Sequence, residues 1–282
     1  MSRNALSVSD VVARDAATYK SSTVFDLLSL KGKVTVVTGA GRGIGLVLAR
    51  TAAELGSSVA LLDVLPTPAD DLSELERDFD IRAKYYRADV TEFTQLAEVF
   101  DQVKHDFGHI DNCITAAGLV LDKPFLDHEW EESARIMNVN VLGSFFSAQL
   151  AAKAMVEHKR GGSIVLICSG AAHASTPSRR MSIYSASKGA IWSLTKNLAV
   201  EMAPLNIRVN CVSPGFIATE MVLDAASKDE KIWEQFRDGP PLKRIGLRSE
   251  IKGSVGYLLS EAAAFTTGTD ILVDGGITSG RI

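Results

Sequence analysis

The chain has 282 residues, of which 46% are hydrophobic and 23% charged, with a net charge of −4 at pH 7. That length suits one large α/β domain with a substantial core, and the composition is ordinary for a globular chain. The negative balance and the lack of a lysine- or arginine-rich block exclude a basic nucleic-acid surface, and no run of about 18 apolar residues is present to cross a membrane.

In chain order, Met1 to Ser29 is polar and reads as irregular. It lacks the apolar core of a secretory signal, and Asp10 and Asp15 oppose a mitochondrial presequence. Residues 1–30 are therefore expected to be an N-terminal extension, either a partly disordered tail or an arm that docks through Phe25, Leu27, Leu28 and Leu30. The catalytic domain is expected over 31–282. Val34 to Thr38 is a β-branched run, the mark of a buried parallel strand. It enters Gly39-Ala-Gly41-Arg-Gly43-Ile-Gly45. A helical stripe of Leu46, Leu48, Ala49, Ala52, Ala53 and Leu55 follows and stops at Gly56. Strand, glycine turn and helix make a phosphate cradle, in which glycines admit a pyrophosphate and the helix start attracts it. Gly39, Arg42, Gly43, Ile44 and Gly45 are its expected residues. The spacing is Thr-Gly-x-x-x-Gly-x-Gly, because isoleucine stands at 44.

Ser58 to Asp63 reads as the second strand, Ala69 to Phe79 as a polar helix and Ala83 to Ala88 as the third strand. Residues 92–107 place Phe93, Leu96, Ala97, Phe100, Val103 and Phe107 on one helical face. Ile110 to Thr115 is a strand, and one long helix is expected over about 127–157. Ser163 to Cys168, Ile207 to Val212 and Gly268 to Val273 complete the strands. The stretch from about 215 to 246 reads as irregular. Such alternation predicts one α/β domain, a doubly wound parallel sheet of about seven strands with helices on both faces. Cys113, Cys168 and Cys211 fall in buried strands without metal or redox spacing, so no metal site is expected and the thiols read as reduced core residues of a cytoplasmic protein.

Between the last strands lies Tyr184-Ser-Ala-Ser-Lys188. On a helix, positions four apart share a face, so a phenol and an ammonium stand one turn apart. A tyrosine titrates near ~10, and a nearby cation lowers that value. The pair suits a general acid/base that handles an alcohol proton. Asp63, at the end of the second strand, can accept hydrogen bonds from both hydroxyls of an adenine ribose and opposes a 2′-phosphate. Arg42 can bind such a phosphate. NAD is therefore the expected cofactor, with NADP as the alternative.

The glycine motif and the Tyr-x-x-x-Lys motif, in this order and at this separation, resemble the short-chain dehydrogenase/reductase family over roughly residues 31–276. The resemblance implies a Rossmann fold and hydride transfer between a nicotinamide cofactor and a secondary alcohol or ketone. Tyr184 would be the general acid/base. Lys188 would bind the nicotinamide ribose and depress the tyrosine pKa, while Ser169 would hold the substrate oxygen and Asn140 would hold a helix bend and a water. Asp89 and Val90 match the adenine-contacting pair. Thr115-Ala-Ala117-Gly118 stands where the family usually has Asn-Asn-Ala-Gly; Ala117 and Gly118 would still serve through backbone, and a sheet-stabilising side-chain bond is either lost here or replaced by Thr115. Pro214, Gly215, Ile217 and Thr219 match the loop that holds the nicotinamide amide and pyrophosphate. The spacing from Ser169 to Tyr184 is about two residues longer than usual, an insertion marked by Arg179 and Arg180, and Ser175 and Ser178 are weaker alternatives to Ser169.

By the same resemblance, 215–246 is the substrate lid, with Met221, Leu223, Trp233 and Phe236 giving a partly apolar pocket to which His173, Arg179 and Arg180 could add polar contacts. His173 reads first as a surface loop residue. The implied partners are a small-molecule alcohol or ketone and three further copies of the chain, in a homotetramer that pairs 92–107 with 127–157 and joins through the strand region near Val273 to Gly276. The chain is similar to fungal polyol and sugar-ketone dehydrogenases and to fungal secondary-metabolite ketoreductases. An NADP-dependent ketoreductase is the runner-up reading, and a cofactor-binding sensor without chemistry is a third.

Overall fold

The computed structural model describes residues 7–175 and 179–280. The lead-in is helical, not irregular: α1 (Val8–Ser21) and α2 (Val24–Leu28) each begin with a capping box, Ser7 with Asp10 and Thr23 with Asp26. Each box satisfies two backbone donors that a helix start otherwise leaves open. Leu30 is the anchor of this arm. It is buried, and its N–H donates to the Leu55 carbonyl at 2.7 Å. Leu27 and Leu28 are half-buried, whereas Phe25 is exposed.

The strands are β1 (Val34–Thr38), β2 (Ser58–Asp63), β3 (Ala83–Arg87), β4 (Asn112–Thr115), β5 (Gly162–Ile167), β6 (Ile207–Pro214) and β7 (Asp270–Val273). They form one parallel sheet in the order β3-β2-β1-β4-β5-β6-β7. Strand side chains alternate between faces, which divides the core in two. Val36, Ala60 and Leu62 pack with α5 (Phe93–Phe107), α7 (Ser144–His158) and α8 (Ser182–Met202). Val37, Val59 and Leu61 pack with α3 (Gly43–Glu54), α4 (Leu72–Phe79) and α11 (Lys252–Leu259). The chain winds outward in opposite directions from β1 and β4, so a crevice opens at the carboxyl ends of these two strands, where doubly wound sheets bind ligands.

Three expectations about helices change. The single helix over 127–157 is instead α6 (Trp130–Met137), a π-turn (Asn138–Gly143) and α7. At the end of the π-turn no side chain fits, because a Cβ on Gly143 would stand 2.6 Å from Val90 Cγ2. This apolar run is long enough to span a membrane by length and composition, but Ala148, Ala151 and Met155 bury it against the sheet. The stretch 215–246 is not irregular; it contains α9 (Glu220–Lys228), capped by Thr219, and α10 (Glu230–Asp238), capped by Asp229. The helix expected from Ala69 starts at Leu72, where Asp71 accepts from the Ser73 N–H.

Candidate active site

The glycine turn closes on itself by backbone contact. A Cβ on Gly39 would stand 2.4 Å from the Ala117 nitrogen, and one on Gly45 would stand 2.0 Å from the Gly39 carbonyl oxygen. No side chain fits at either place, so α3 begins directly on the loop. Gly43, at φ 61°, faces open space. Arg42 is exposed and gives α3 no side-chain cap. The first-turn N–H groups beside Ile44 are thus left for an anion. Asp63 closes the far side: its Oδ2 accepts from the Gly41 N–H at 2.8 Å and its Oδ1 from the Leu65 N–H at 3.0 Å. Two backbone donors fix the carboxylate at the cradle and leave each oxygen a further lone pair. Asp89 Oδ1 accepts from the Thr91 N–H at 2.9 Å, and Val90 packs over Gly143. An open cradle, an uncapped helix start and a fixed carboxylate fit a dinucleotide.

On α8, Tyr184 and Lys188 do share a face, with Nζ 5.9 Å from the tyrosine ring centroid. Lys188 is buried, and its Nζ donates to the carbonyl of Ile167, the last residue of β5, at 2.8 Å. Burial pushes its pKa down to about 8. Cys168, where the family usually has a serine, adds to the mount by donating its S–H to the Lys188 carbonyl at 3.2 Å.

The expected depression of Tyr184 by Lys188 is not found. Burial raises the phenol above its ordinary value, and the opposing influence is a hydrogen bond with Ser169. The ammonium donates to the Ile167 carbonyl and lies over the ring. Ser169 follows β5 and caps a short 3-10 turn, its Oγ accepting from the Ala171 N–H at 3.1 Å. It is therefore rigidly placed next to Tyr184. Ser175 is exposed, and Ser178 lies outside the described residues.

Asn140 sits in the π-turn, fully buried. Its Oδ1 accepts from the Leu119 N–H at 2.8 Å, and its Nδ2 donates to the Leu119 carbonyl and to Ser187 Oγ, each at 2.9 Å. Gly118 lies over the same place; a Cβ there would stand 3.5 Å from Asn140 Oδ1 and 3.7 Å from Lys188 Nζ. The loop after β4, the π-turn and α8 thus meet at one point. Thr115 does not replace the missing asparagine, because its Oγ1 is buried and has no hydrogen-bond partner. Asn140 holds the loop instead, one residue beyond Gly118.

Pro214 ends β6, and Gly215 packs so closely on Asp274 that a Cβ would stand 2.7 Å from its Cα. Ile217 is buried and bridges to Gly246. Thr219 Oγ1 accepts from the Val222 N–H at 3.4 Å, which leaves its hydroxyl hydrogen free to donate. Phe236 of the lid lies on Phe216, ring centroids 4.4 Å apart. Leu223 is partly exposed, and the Met221 side chain lies outside the described ones. His173 is an exposed loop residue, as expected, and it is tethered: its Nε2 lies 2.6 Å from Asp270 Oδ2 and its ring is edge-on to Trp192.

Three site features escape sequence reasoning. Ser187 lies within the Tyr184 to Lys188 motif, and its partner Asn140 is 47 residues away. The Ile167 carbonyl carries no signal at all. Asp122, which pairs with Arg179, follows Gly118 by four residues and looks like an ordinary loop acid.

The profile of a family described as "Enoyl-(Acyl carrier protein) reductase" matches residues 39–278. The chain is 35% identical to a sorbose reductase of Candida albicans, covering 91% of each. It is 32% identical to an NADP-dependent mannitol dehydrogenase of Hypocrea jecorina, covering 92% of this chain and 97% of the relative. An NADH-dependent L-xylulose reductase of Ambrosiozyma monospora is 34% identical over 88% of this chain and 96% of its own. Among solved structures, a gluconate 5-dehydrogenase from Burkholderia cenocepacia, in complex with NADP and tartrate, superposes with a TM-score of 0.85 at 32% identity, covering 92% of this chain and all (100%) of that one.

Proposed function

The chain belongs to the short-chain dehydrogenase/reductase family, and we propose that it interconverts a polyol and its ketose with NAD, using Tyr184 as the general acid/base. As a member it is an oxidoreductase that moves a hydride between a nicotinamide cofactor and a secondary alcohol or ketone. The observation that carries the proposal is the junction at which Ser169, Tyr184, Lys188 and Asn140 meet from three different segments.

Ser169 and Tyr184 hold the substrate oxygen between two hydroxyls. Tyr184 takes the alcohol proton during oxidation and returns it during reduction. Lys188 holds the nicotinamide ribose. Asn140 holds the loop at Leu119 that roofs the site and keeps a water near Lys188. The cradle of Gly39, Arg42, Gly43, Ile44 and Gly45 receives the pyrophosphate, with Thr219 as a further donor. Asp89, Val90, Ala117 and Gly118 line the adenine and ribose path, and Pro214, Gly215 and Ile217 meet the nicotinamide amide. The bound nicotinamide supplies the hydride chemistry; the protein supplies position and electrostatics.

The polyol class rests on the relatives, whose names specify sorbose, mannitol and L-xylulose. NAD rests on Asp63. A specific observation favours NADP as a second reading, namely the exposed Arg42 together with NADP-dependent relatives. A screen of hexitols, pentitols and their ketoses with both cofactors, read by absorbance of the reduced cofactor, tests the function. Turnover of a polyol–ketose pair supports it, and turnover confined to non-polyol alcohols rejects it.

We further propose a cytoplasmic homotetramer. Phe93, Leu142 and Val156 are exposed on the α5–α7 side, and Val200, Phe265 and Leu272 on the β7 side, next to a groove of about 830 Å³ beside α8. A closed assembly of four would cover both apolar surfaces. Light scattering at 30 kDa, the mass of one chain, rejects it. The compartment rests on three buried, unpaired cysteines, and cell fractionation tests it.

A further inference from the structure

His173 ends the turn that Ser169 begins. That turn is a short 3-10 helix, Gly170–Ala172, with Ser169 at its N-cap and His173 at its C-cap, where the His173 N–H donates to the Gly170 carbonyl at 3.0 Å. One glycine and two alanines give it almost no side chain to pack with, and so short a 3-10 helix is weak on its own. His173 is the first large side chain after Ser169. The residue is exposed in its loop, yet its side chain turns inward and is only 21% exposed. Its Nε2 lies 2.6 Å from Asp270 Oδ2 on β7 and 3.3 Å from Ser213 Oγ on β6, and its ring centroid lies 5.3 Å from that of Trp192 on α8.

Asp270 dictates this arrangement. Its side chain is only 8% exposed, and a buried carboxylate needs donors. Ser213 Oγ donates to Oδ2 at 2.8 Å, and His173, with its proton on Nε2, gives the same oxygen a second donor. The charge-assisted bond therefore fastens the ring to two strands of the sheet. Histidine, aspartate and serine in contact also invite a different reading, a nucleophile with its base. The geometry rejects it. In such a triad one ring nitrogen faces the acid and the other faces the serine, whereas here Nε2 faces both, and Ser213 is fully buried.

What remains for the group is to hold position. Ser169 Oγ is tied to the turn by the Ala171 N–H at 3.1 Å, so the place where the turn is fastened sets the direction of the hydroxyl. The fastening joins the elements that the reaction needs together. Ser213 precedes Pro214 and Gly215 of the cofactor loop, and Trp192 follows Tyr184 by eight residues on α8. We propose that His173, clamped to Asp270, is a positioning residue that aims the Ser169 hydroxyl at the substrate oxygen through the turn between them. The proposal rests on the role given to Ser169 above.

A double-mutant cycle tests it, because a residue that acts through Ser169 has nothing to act on once that hydroxyl is gone. KM and kcat are measured, with the secondary alcohol that the wild type oxidises fastest, on the wild type, His173→Ala, Ser169→Ala and the double variant. Quenching of protein fluorescence by the reduced cofactor shows that each is folded. If His173→Ala leaves Asp270 too poorly paired to fold, the joint change of His173→Leu with Asp270→Leu, which leaves no buried charge, takes its place in the same cycle. His173→Ala should lower kcat about fivefold or more, up to the loss seen in Ser169→Ala, with KM nearly unchanged. In the Ser169→Ala background the same change should leave kcat as it is. An unchanged kcat in His173→Ala, or a loss of similar size in both backgrounds, makes His173 a structural tether only and overturns the proposal. If Ser169→Ala itself turns over like the wild type, it is the role of Ser169 that falls, and the proposal falls with it.

Discussion

Asn140 and Leu119 exchange two hydrogen bonds, Leu119 N–H to Asn140 Oδ1 at 2.8 Å and Asn140 Nδ2 to the Leu119 carbonyl at 2.9 Å. One side chain thereby fixes both backbone groups of a residue 21 positions away, and a third bond ties it to Ser187, the neighbour of Lys188. Asn140→Ala removes all three and leaves buried partners open, at a cost of about 1–3 kcal/mol for each that finds no water. A fall in melting temperature of several degrees, together with a lower kcat, is the expected outcome. A variant that keeps its melting temperature contradicts this role.

The proposed role of Ser169, holding the substrate oxygen, rests on its rigidity. It caps the 3-10 turn and acts to lower the Tyr184 pKa, whereas Ser175 is exposed. Turnover of Ser169→Ala should fall at least about tenfold through loss of a bond to the developing charge, and Ser175→Ala should be near wild type. The assignment reverses if the larger loss is at Ser175.

The proposed preference for NAD rests on Asp63. Its carboxylate is aimed by the N–H groups of Gly41 and Leu65 and is placed to receive ribose hydroxyls. One bond to a charged group is worth about 1.5–3 kcal/mol, so NAD should be preferred about tenfold or more. Asp63→Ser should narrow that ratio by weakening NAD and admitting the 2′-phosphate beside Arg42. The ratio of kcat/KM values for the two cofactors, on both proteins, gives the answer. A wild-type ratio in favour of NADP shows that Arg42 dominates.

Much of this site is local and therefore visible in sequence. The glycine turn lies between a β-branched strand and an apolar stripe, Tyr184 and Lys188 are one helical turn apart, and each strand of the parallel sheet is a short apolar run. What was not visible depends on distance. Gly143 of the π-turn packs on Val90, 53 residues earlier in the chain. His173 is the loop residue it reads as, but its tether, Asp270, arrives 97 residues later. Thr115 looked like a substitute for asparagine, yet its hydroxyl finds no acceptor. The helices α1, α9 and α10 are a different kind of miss. Their caps, Ser7 with Asp10, Thr219 and Asp229, are local signals that outweigh the polar composition around them.

Lys188 gives the cofactor-free protein a pH signature. Its folded pKa of about 8 lies below the ordinary 10.5 because burial disfavours the ammonium. Between those values the unfolded chain binds more protons than the folded one, so stability rises with pH across the window. Below about 8 the burial cost is present in full, about 3 kcal/mol for the gap from 10.5. Lys188→Met removes the titration. The melting temperature of the wild type relative to the variant should therefore climb from pH 7.5 to pH 10, and a flat or falling difference contradicts the burial of a titrating lysine.

Tyr184→Phe keeps the ring packed near Lys188 and removes only the hydroxyl that carries the proton. Steady-state turnover of the best polyol, followed by absorbance of the reduced cofactor, should fall at least about 10²-fold, the scale of a lost general acid/base. The dissociation constant of the cofactor, read by fluorescence quenching, should stay close to that of the wild type. A Tyr184→Phe protein that retains most of its turnover would show that the proton moves through another group and that Tyr184 is not the acid/base of this enzyme.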